Sequence, residues 1–477
     1  MTGPPVGPHG LVAHPRPAAF PLGPSSLAEL LDTGSQDHPD RLALIDDDQT
    51  WTYRELHDEV LERATELARG DFSYWPLESS AELIISVLAG FRSGHGWIAA
   101  RAPQNLDTSA LATSVSAPSI DPQNPAVVAF TSGTTGEPKR VVHSQHSLLL
   151  PCLVSIAVDP PQPGERIGTP LDLRIANVMV LGPLSAFARG STYVVMRRRY
   201  ATGISQDIAA HGVTRLLAVP TLAYDLAASS EVDPEQLQTL DRVILGGSGG
   251  DPDTQRRFFD RFGVRPTLSY GLSEAPTGVV RESLADPIGS RKGHPLPHVE
   301  VVIADPETGS ERPIGEVGEV CLRSASAGPW AGTWTGTLGY LGQPELTERL
   351  FRDGLLHTGD MGATDTEGRI SITGRLSQLI IRGGQNVDPE SIRRALVLDP
   401  TVADAHVVGY PDDRLGQCIG AAVVVADGAE FDPGAIQARL AENGPEVPFP
   451  DRLVLLEEIP RNQMGKVAGL PDELFTD

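Results

Sequence analysis

The sequence predicts an α/β protein: a large N-terminal domain of layered, mostly parallel sheets covered by helices, followed by a small α+β module. Three observations predict it. Apolar runs and amphipathic segments alternate from Arg166 to Leu245, and alternation of that length argues a parallel sheet with its crossover helices packed on both faces. The 477 residues exceed what one hydrophobic core organises, so two or more domains are expected. Beyond Arg375 the pattern starts afresh as a compact module.

Taken in order, residues 1–24 lack the uninterrupted apolar core of a signal peptide, and their prolines forbid helix, so they read as a flexible tail. A short helix opens at Ser26, its cap. Leu42 to Ile45 and Trp51 to Tyr53 read as a strand pair about the Asp46-Asp47-Asp48 turn, and Glu55 to Arg69 as a long amphipathic helix. Ala81 to Gly94 is a further helix and Trp97 to Ala100 a strand. Ser144 to Leu150 starts a helix, and Ile175 to Ala188 forms another between the strands Arg166 to Pro170 and Ser191 to Met196. The alternation continues through Gly203 to His211, Arg215 to Val219, Thr221 to Ser229 and Arg242 to Leu245. In the last module Asp388 caps a helix with Pro389 at its first position. Strands follow at Ala403 to Val408, Ile419 to Val425 and Leu453 to Leu456, with a helix at Pro433 to Glu442. A hinge is expected at Leu376 to Gln378, dividing a domain at 25–375 from a mobile one at 376–477.

Lys plus Arg number 38 against 62 Asp plus Glu, a formal net charge of −24. Such acidity argues against nucleic acid or an anionic membrane as a partner. Cys152, Cys321 and Cys418 are odd in number and far apart, which indicates neither a disulfide framework nor a zinc cluster; a cytoplasmic location is expected. The longest apolar stretch, Ser147 to Val158, contains Pro151 and falls short of the ~20 residues a membrane span needs.

The chemistry is concentrated at VVAFTSGTTGEPKRVVH, Val127 to His143. A buried-type strand, Val127 to Phe130, empties into Thr131-Ser132-Gly133-Thr134-Thr135-Gly136-Glu137-Pro138-Lys139. Glycines let the backbone approach polyphosphate, N–H groups and hydroxyls donate to its oxygens, and Lys139 supplies charge. The spacing of Gly133, Gly136 and Lys139 excludes a G-x-x-x-x-G-K-[ST] loop. Further signatures follow: Gly246 to Gly250 after an apolar strand, Ser269-Tyr270-Gly271-Leu272-Ser273-Glu274, His357-Thr358-Gly359-Asp360, Gly374-Arg375 with Ile381 to Val387, and Pro460 to Lys466.

In this order the motifs resemble those of the adenylate-forming superfamily, the acyl- and aryl-CoA synthetases, peptide-synthetase adenylation domains and firefly-type luciferases, over about Ser25 to Val467. The resemblance implies a small β-barrel-like subdomain across Gly293 to Leu355. It also implies an AMP-forming ligase that activates a carboxylic acid with ATP and Mg2+. Thr131 to Gly136, Lys139 and Ser273 would contact phosphates, Glu274 would hold the metal, and Tyr270 and Gly271 would lie at adenine beside Gly247 and Ser248. Asp360 would accept the ribose hydroxyls, Arg375 would contact ribose and phosphate, and Lys466 would neutralise charge during adenylation and then leave. The acid pocket would be walled by Leu171 to Val178, Gly246 to Gly250 and Ser269 to Ala275.

The chain departs from the family pattern at Arg140, Leu173, Gln378, Gln417 and Gly469, and by a short Arg101 to Pro125 connection where relatives carry a further strand and helix. Gly383-Gly384 resembles the loop of free-standing CoA ligases, so coenzyme A is the expected acceptor, in a monomer or homodimer. An amine, a carrier-protein thiol or a small inorganic nucleophile such as nitrite is the alternative, as is a nucleotide-binding relative without turnover.

Overall fold

The computed structural model describes residues 3–102, 104, 106–111, 120–131, 139–247, 252–382, 385–412, 414–443, 447–460, 467 and 474–475. Two compact units emerge, one of residues 1–302 with 321–358 and one of 303–320 with 359–477.

In the first unit six parallel strands lie in the order Leu42–Asp46, Thr192–Val195, Arg166–Thr169, Arg215–Ala218, Arg242–Leu245 and Pro266–Leu272. This is the parallel sheet expected from the alternation, and its short strands are almost wholly buried, as apolar runs between two helical layers must be. Ile45, Val194, Leu216, Val243 and Leu245 pack with Ile204, Ile208, Leu226 and Phe258 from the crossover helices. Antiparallel strands Thr277–Arg281 and Lys292–Pro295 extend the far edge. A second sheet runs Gly339–Tyr340, Lys139–Ser144, Pro125–Thr131, Gly96–Ala99, Phe72–Ser73. Between Ala99 and Pro125 the described residues hold only the single turn Ser109–Leu111.

Local chemistry sets the boundaries. The helix expected from Glu55 begins at Tyr53, because Thr52 and Glu55 form a reciprocal capping box, and it stops at Ala64. The helix expected over Ile175 to Ala188 is instead Ala176–Met179, a π turn Val180–Leu184 and Ser185–Ala188. Pro183 sits inside that turn; a residue without an N–H disrupts the regular ladder there. The opening segment is not the loose tail expected. Val12 N donates to Leu338 O (2.8 Å), Ala18 N to Gly332 O (2.9 Å), and a His14 ring nitrogen pairs with Thr337 O (2.7 Å). Phe20 stacks on His146 with ring centroids 4.4 Å apart. The prolines that forbid helix favour extended backbone, whose N–H and C=O groups are left open to pair with another stretch of chain. Among the described residues no helix is long and apolar enough to cross a membrane.

The second unit carries the expected α+β module: strands Ile380–Arg382, Gln385–Val387, Val402–Asp412, Gly416–Val425 and Arg452–Leu455 with helices Pro389–Val397 and Pro433–Asn443. Ile380, Ile392, Leu396, Ala405, Ile419, Ala421, Val423 and Ile436 form its core. Asp388 caps the first helix, accepting from the Glu390 and Ser391 amides at 3.1 Å each.

Just beyond that helix Asp399 accepts from Arg439 Nε (2.7 Å) and Nη2 (3.0 Å), which ties the two helices of the module together. These bonds, ahead of the opposing effect of burial, hold the carboxyl down at about 2 against an ordinary 3.8. A depressed carboxylate stabilises the fold fully above its unfolded value and loses that contribution as pH falls through the folded one. The module is therefore expected to lose this stabilisation between pH 3.8 and about 2. In Arg439→Ala the Asp399 titration, followed by carboxyl NMR, moves up toward 3.8, and amide protection in Pro389–Val397 is lost at higher pH. An unchanged Asp399 titration contradicts the assignment.

Candidate active site

The strand Pro125–Thr131 turns back as Lys139–Ser144, and the register pairs Thr131 with Lys139, so both ends of the candidate phosphate loop are fixed side by side. Ser132, Gly133, Thr134, Thr135 and Gly136 lie outside the described residues, as do Ser248 and Lys466. The Lys139 Nζ stands 5.1 Å from the centroid of the Tyr340 ring, and the Tyr340 hydroxyl donates to Glu274 Oε1 at 2.7 Å. One phenol thus holds both a cation by its face and a carboxylate by its oxygen. Sequence reasoning placed Lys139 and Glu274 and missed Tyr340, which sits in a Gly-Tyr-Leu-Gly stretch that reads as a turn. Its strand pairs Gly339 with Val142 and Tyr340 with Val141, and its amide donates to Thr347 Oγ1 (2.9 Å).

Glu274 and Ser273 lie on a tight turn between Pro266–Leu272 and Thr277–Arg281, where the register shifts between Tyr270 and Gly271. Thr337 N donates to the main-chain oxygen of Glu274 (2.8 Å), so both backbone and side chain of that residue are anchored to the 337–340 segment. Behind the turn His143 is wholly buried; burial pushes its imidazole down to about 4 against the opposing pull of the Ser273 main chain, so it is neutral at pH 7. Gly247, at φ 87°, leaves the sheet just after Arg242–Leu245, a conformation that glycine adopts without strain. Tyr270 and Gly271 end the neighbouring strand. The strands bearing Gly247 and Tyr270 are parallel neighbours, so these residues share the carboxyl edge where doubly wound sheets bind ligands. Of the expected pocket wall, Leu173, Ala176 and Val178 are buried.

In the second unit Asp360 and Arg375 face each other across antiparallel strands Leu355–Thr364 and Ile370–Arg375. Arg375 Nε lies 3.0 Å from Asp360 Oδ1; the carboxylate is buried and the guanidinium half-exposed. The amide of Gly359 donates to Glu319 Oε1 (3.0 Å), which fixes the strand next to Asp360. The pair that sequence reading put at ribose is thus an ion pair, with the carboxylate orientation set by the arginine.

The sequence of residues 96–329 matches the AMP-binding enzyme family, and residues 392–466 match the AMP-binding enzyme C-terminal domain. The chain is 33% identical over 361 residues to a sulfoacetate–CoA ligase of Cupriavidus necator, covering 74% of this chain and 67% of that one. It is 31% identical over 372 residues to the fatty acid–[acyl-carrier-protein] ligase ScoC of Streptomyces coeruleorubidus, covering 73% and 67%. Its fold resembles ATP-bound MatB from Rhodopseudomonas palustris with a TM-score of 0.81 over 92% of this chain and 97% of that one, at 23% identity. The chain belongs to the adenylate-forming superfamily and is an AMP-forming ligase.

Tyr340→Phe removes only the hydroxyl that holds Glu274. Hydrogen bonds to charged groups contribute about 1.5–3 kcal/mol, so kcat/KM for ATP in pyrophosphate release is expected to fall roughly tenfold to a hundredfold with an unchanged circular dichroism spectrum. Wild-type kinetics in that variant dismiss Tyr340 as the anchor.

Proposed function

We propose that the protein activates a carboxylic acid with ATP and magnesium and passes the acyl group to the thiol of coenzyme A. The acid's carboxylate oxygen attacks the α-phosphorus, the bond to the β-phosphate oxygen breaks, and pyrophosphate leaves. The thiolate then attacks the acyl carbonyl and AMP departs. The observation that carries this reading is the Lys139–Tyr340–Glu274 arrangement at the foot of the phosphate loop: an ammonium and a carboxylate of opposite use, held by one ring. Positioning and charge neutralisation supply most of the catalysis such a displacement needs. Thr131 to Gly136, Lys139 and Ser273 receive phosphate oxygens, while Tyr270 stacks on adenine beside Gly271, Gly247 and Ser248. Asp360, oriented by Arg375, accepts from the ribose hydroxyls. Magnesium takes few protein carboxylates and keeps several waters, and Glu274 offers one such group; the bound ion would neutralise developing phosphate charge.

Lys466 is the cation proposed for adenylation alone. Lys466→Ala is expected to slow acyl-adenylate formation by orders of magnitude while thiolysis of supplied acyl-adenylate proceeds nearly as in wild type. Equal loss of both half-reactions sinks this division.

The acceptor rests on the sulfoacetate–CoA ligase relative and on Gly383-Gly384, which carry no side chains to obstruct a pantetheine arm. A carrier-protein thiol is the second reading, favoured by the equally covered resemblance to ScoC. With an acid that supports pyrophosphate release, coenzyme A is expected to accelerate AMP release, and Gly384→Leu to abolish that acceleration while sparing pyrophosphate release. Acceleration by an acylable carrier protein and none by coenzyme A selects the second reading.

A further inference from the structure

Residues 9–20 run along the 332–347 segment as a strap. Gly342 N donates to His9 O (2.9 Å), Leu11 bridges to Gly339, Val12 N donates to Leu338 O (2.8 Å) and Ala18 N to Gly332 O (2.9 Å). In the middle of the strap His14 Nε2 lies 2.7 Å from Thr337 O, and the ring meets Phe351 edge-on with centroids 5.2 Å apart. A carbonyl oxygen only accepts, so that nitrogen carries the proton. Burial pushes the imidazole below its ordinary value against the opposing pull of the carbonyl, which keeps the ring neutral at pH 7. Pro15 restricts His14 to extended backbone, and Pro17 does the same to Arg16, so part of the ordering is done before the segment docks.

Thr337 is where the strap meets the site. Its carbonyl accepts from His14, its amide donates to Glu274 O (2.8 Å) and its hydroxyl to Val142 O (2.6 Å). Three residues on, the Tyr340 hydroxyl donates to Glu274 Oε1 (2.7 Å). Glu274 is therefore held at backbone and side chain by one short stretch of chain, and His14 holds that stretch in turn. A second histidine repeats the arrangement further back: His146 Nε2 lies 2.7 Å from Thr333 O and its ring stacks on Phe20. His14 differs in gripping the residue that itself bonds Glu274.

We propose that His14 is a positioning residue for the metal-binding carboxylate: its N–H to Thr337 O fixes the 337–340 stretch, which presents Glu274 to the magnesium bound with ATP. This rests on the ligase reading above, in which Glu274 receives the metal. His14 touches no reacting group; a carboxylate already ordered by its neighbours loses less side-chain entropy when the ion arrives.

The test is calorimetric binding of ATP to the full chain, with excess magnesium and with EDTA. His14→Leu keeps apolar packing against Phe351 and removes the donor. Its affinity for magnesium–ATP is expected to fall about twofold to tenfold, the worth of one neutral hydrogen bond, with affinity for metal-free ATP unchanged. His14→Gln, whose amide reaches where Nε2 does, restores part of the loss; His14→Asn, whose amide falls short, does not. Arg16→Gln, exposed on the same strap, leaves both affinities alone. In a Tyr340→Phe background His14→Leu costs less than it does by itself, since both act through Glu274. Wild-type binding in His14→Leu, equal loss with and without metal, or full additivity with Tyr340→Phe overturns the proposal. Where His14→Leu does not fold, His14→Asn against His14→Gln carries the same comparison, and equal magnesium–ATP affinity in the two overturns it. A Glu274→Gln variant that binds magnesium–ATP as wild type does overturns the metal assignment of the ligase reading instead. The Thr337 amide then reads the positioning link independently: its hydrogen exchange is expected to quicken in His14→Leu and not in Arg16→Gln, and unchanged exchange in His14→Leu overturns the proposal.

Discussion

A Cβ at residue 339 would stand 2.5 Å from the carbonyl oxygen of Gly10 and 2.7 Å from the Thr347 side chain, at φ 116°. Only glycine fits there, and much of the first unit's site hangs on that close approach. Because the backbone at 339 can be sandwiched, the opening segment bridges to it at Leu11, Thr347 reaches both Gly10 O and the Tyr340 amide, and the short strand lies flush against Val141 and Val142. The result is that Tyr340, 4% exposed, has one orientation available, with Lys139 over its face and Glu274 on its hydroxyl. An ammonium and a carboxylate on flexible stems lose side-chain entropy when ordered one at a time. Anchoring both to a single buried ring spreads that ordering over packing the core already provides.

The two edges of the large parallel sheet use charge differently. At the amino ends, Glu165 accepts from Arg189 Nε and Nη2 (2.7 Å each), from Arg215 Nε (3.1 Å) and from Ser191 (2.6 Å), while Asp159 takes Arg215 and Arg242. Burial of Glu165 opposes its ionisation, yet these partners hold its carboxyl below the ordinary range. Arg189, Arg215 and Glu165 are each at most 5% exposed, and nearly every donor is turned inward on a carboxylate or carbonyl. That is a closed structural network. At the carboxyl ends Asp172, 1% exposed, takes Arg174 and Arg101 instead, both more exposed than the arginines around Glu165.

Much of this was legible in the sequence because it is local. Val243 to Leu245, Thr192 to Val195 and the Asp388-Pro389 start declare themselves by runs and caps of a few residues. Lys139, Glu274, Asp360 and Arg375 were found through motif resemblance, which compresses long-range geometry into short words. What stayed hidden depends on distant chain. The Tyr340–Glu274 bond spans 66 residues and the His14–Thr337 bond 323, so neither periodicity nor turn chemistry signals them. The opening prolines were rightly read as forbidding helix, but nothing local says that residues 332–338 offer them backbone partners. The π turn at Val180–Leu184 escaped for another reason: Pro183 announces an interruption, and tertiary packing chooses its form.

The tether on Lys139 also constrains how two half-reactions can share one site. The backbone of Lys139 pairs with Thr131 in the hairpin register and its ammonium sits over the Tyr340 ring, beside the end of the strand that opens the phosphate loop. On the proposed reading its charge serves ATP binding and remains while AMP is still attached to the acyl group. Charge needed only to stabilise the departing pyrophosphate has to come from a group free to withdraw, since a second fixed cation would also hold the adenylate back from its acceptor. On the proposed reading Lys466 is that group, set after Gly465 on a segment with no helix or strand assigned by its sequence. On that reading two lysines of like chemistry differ in one physical respect, the seat over Tyr340 that the first one has, and that difference would let adenylation and transfer follow one another without rebuilding the phosphate site.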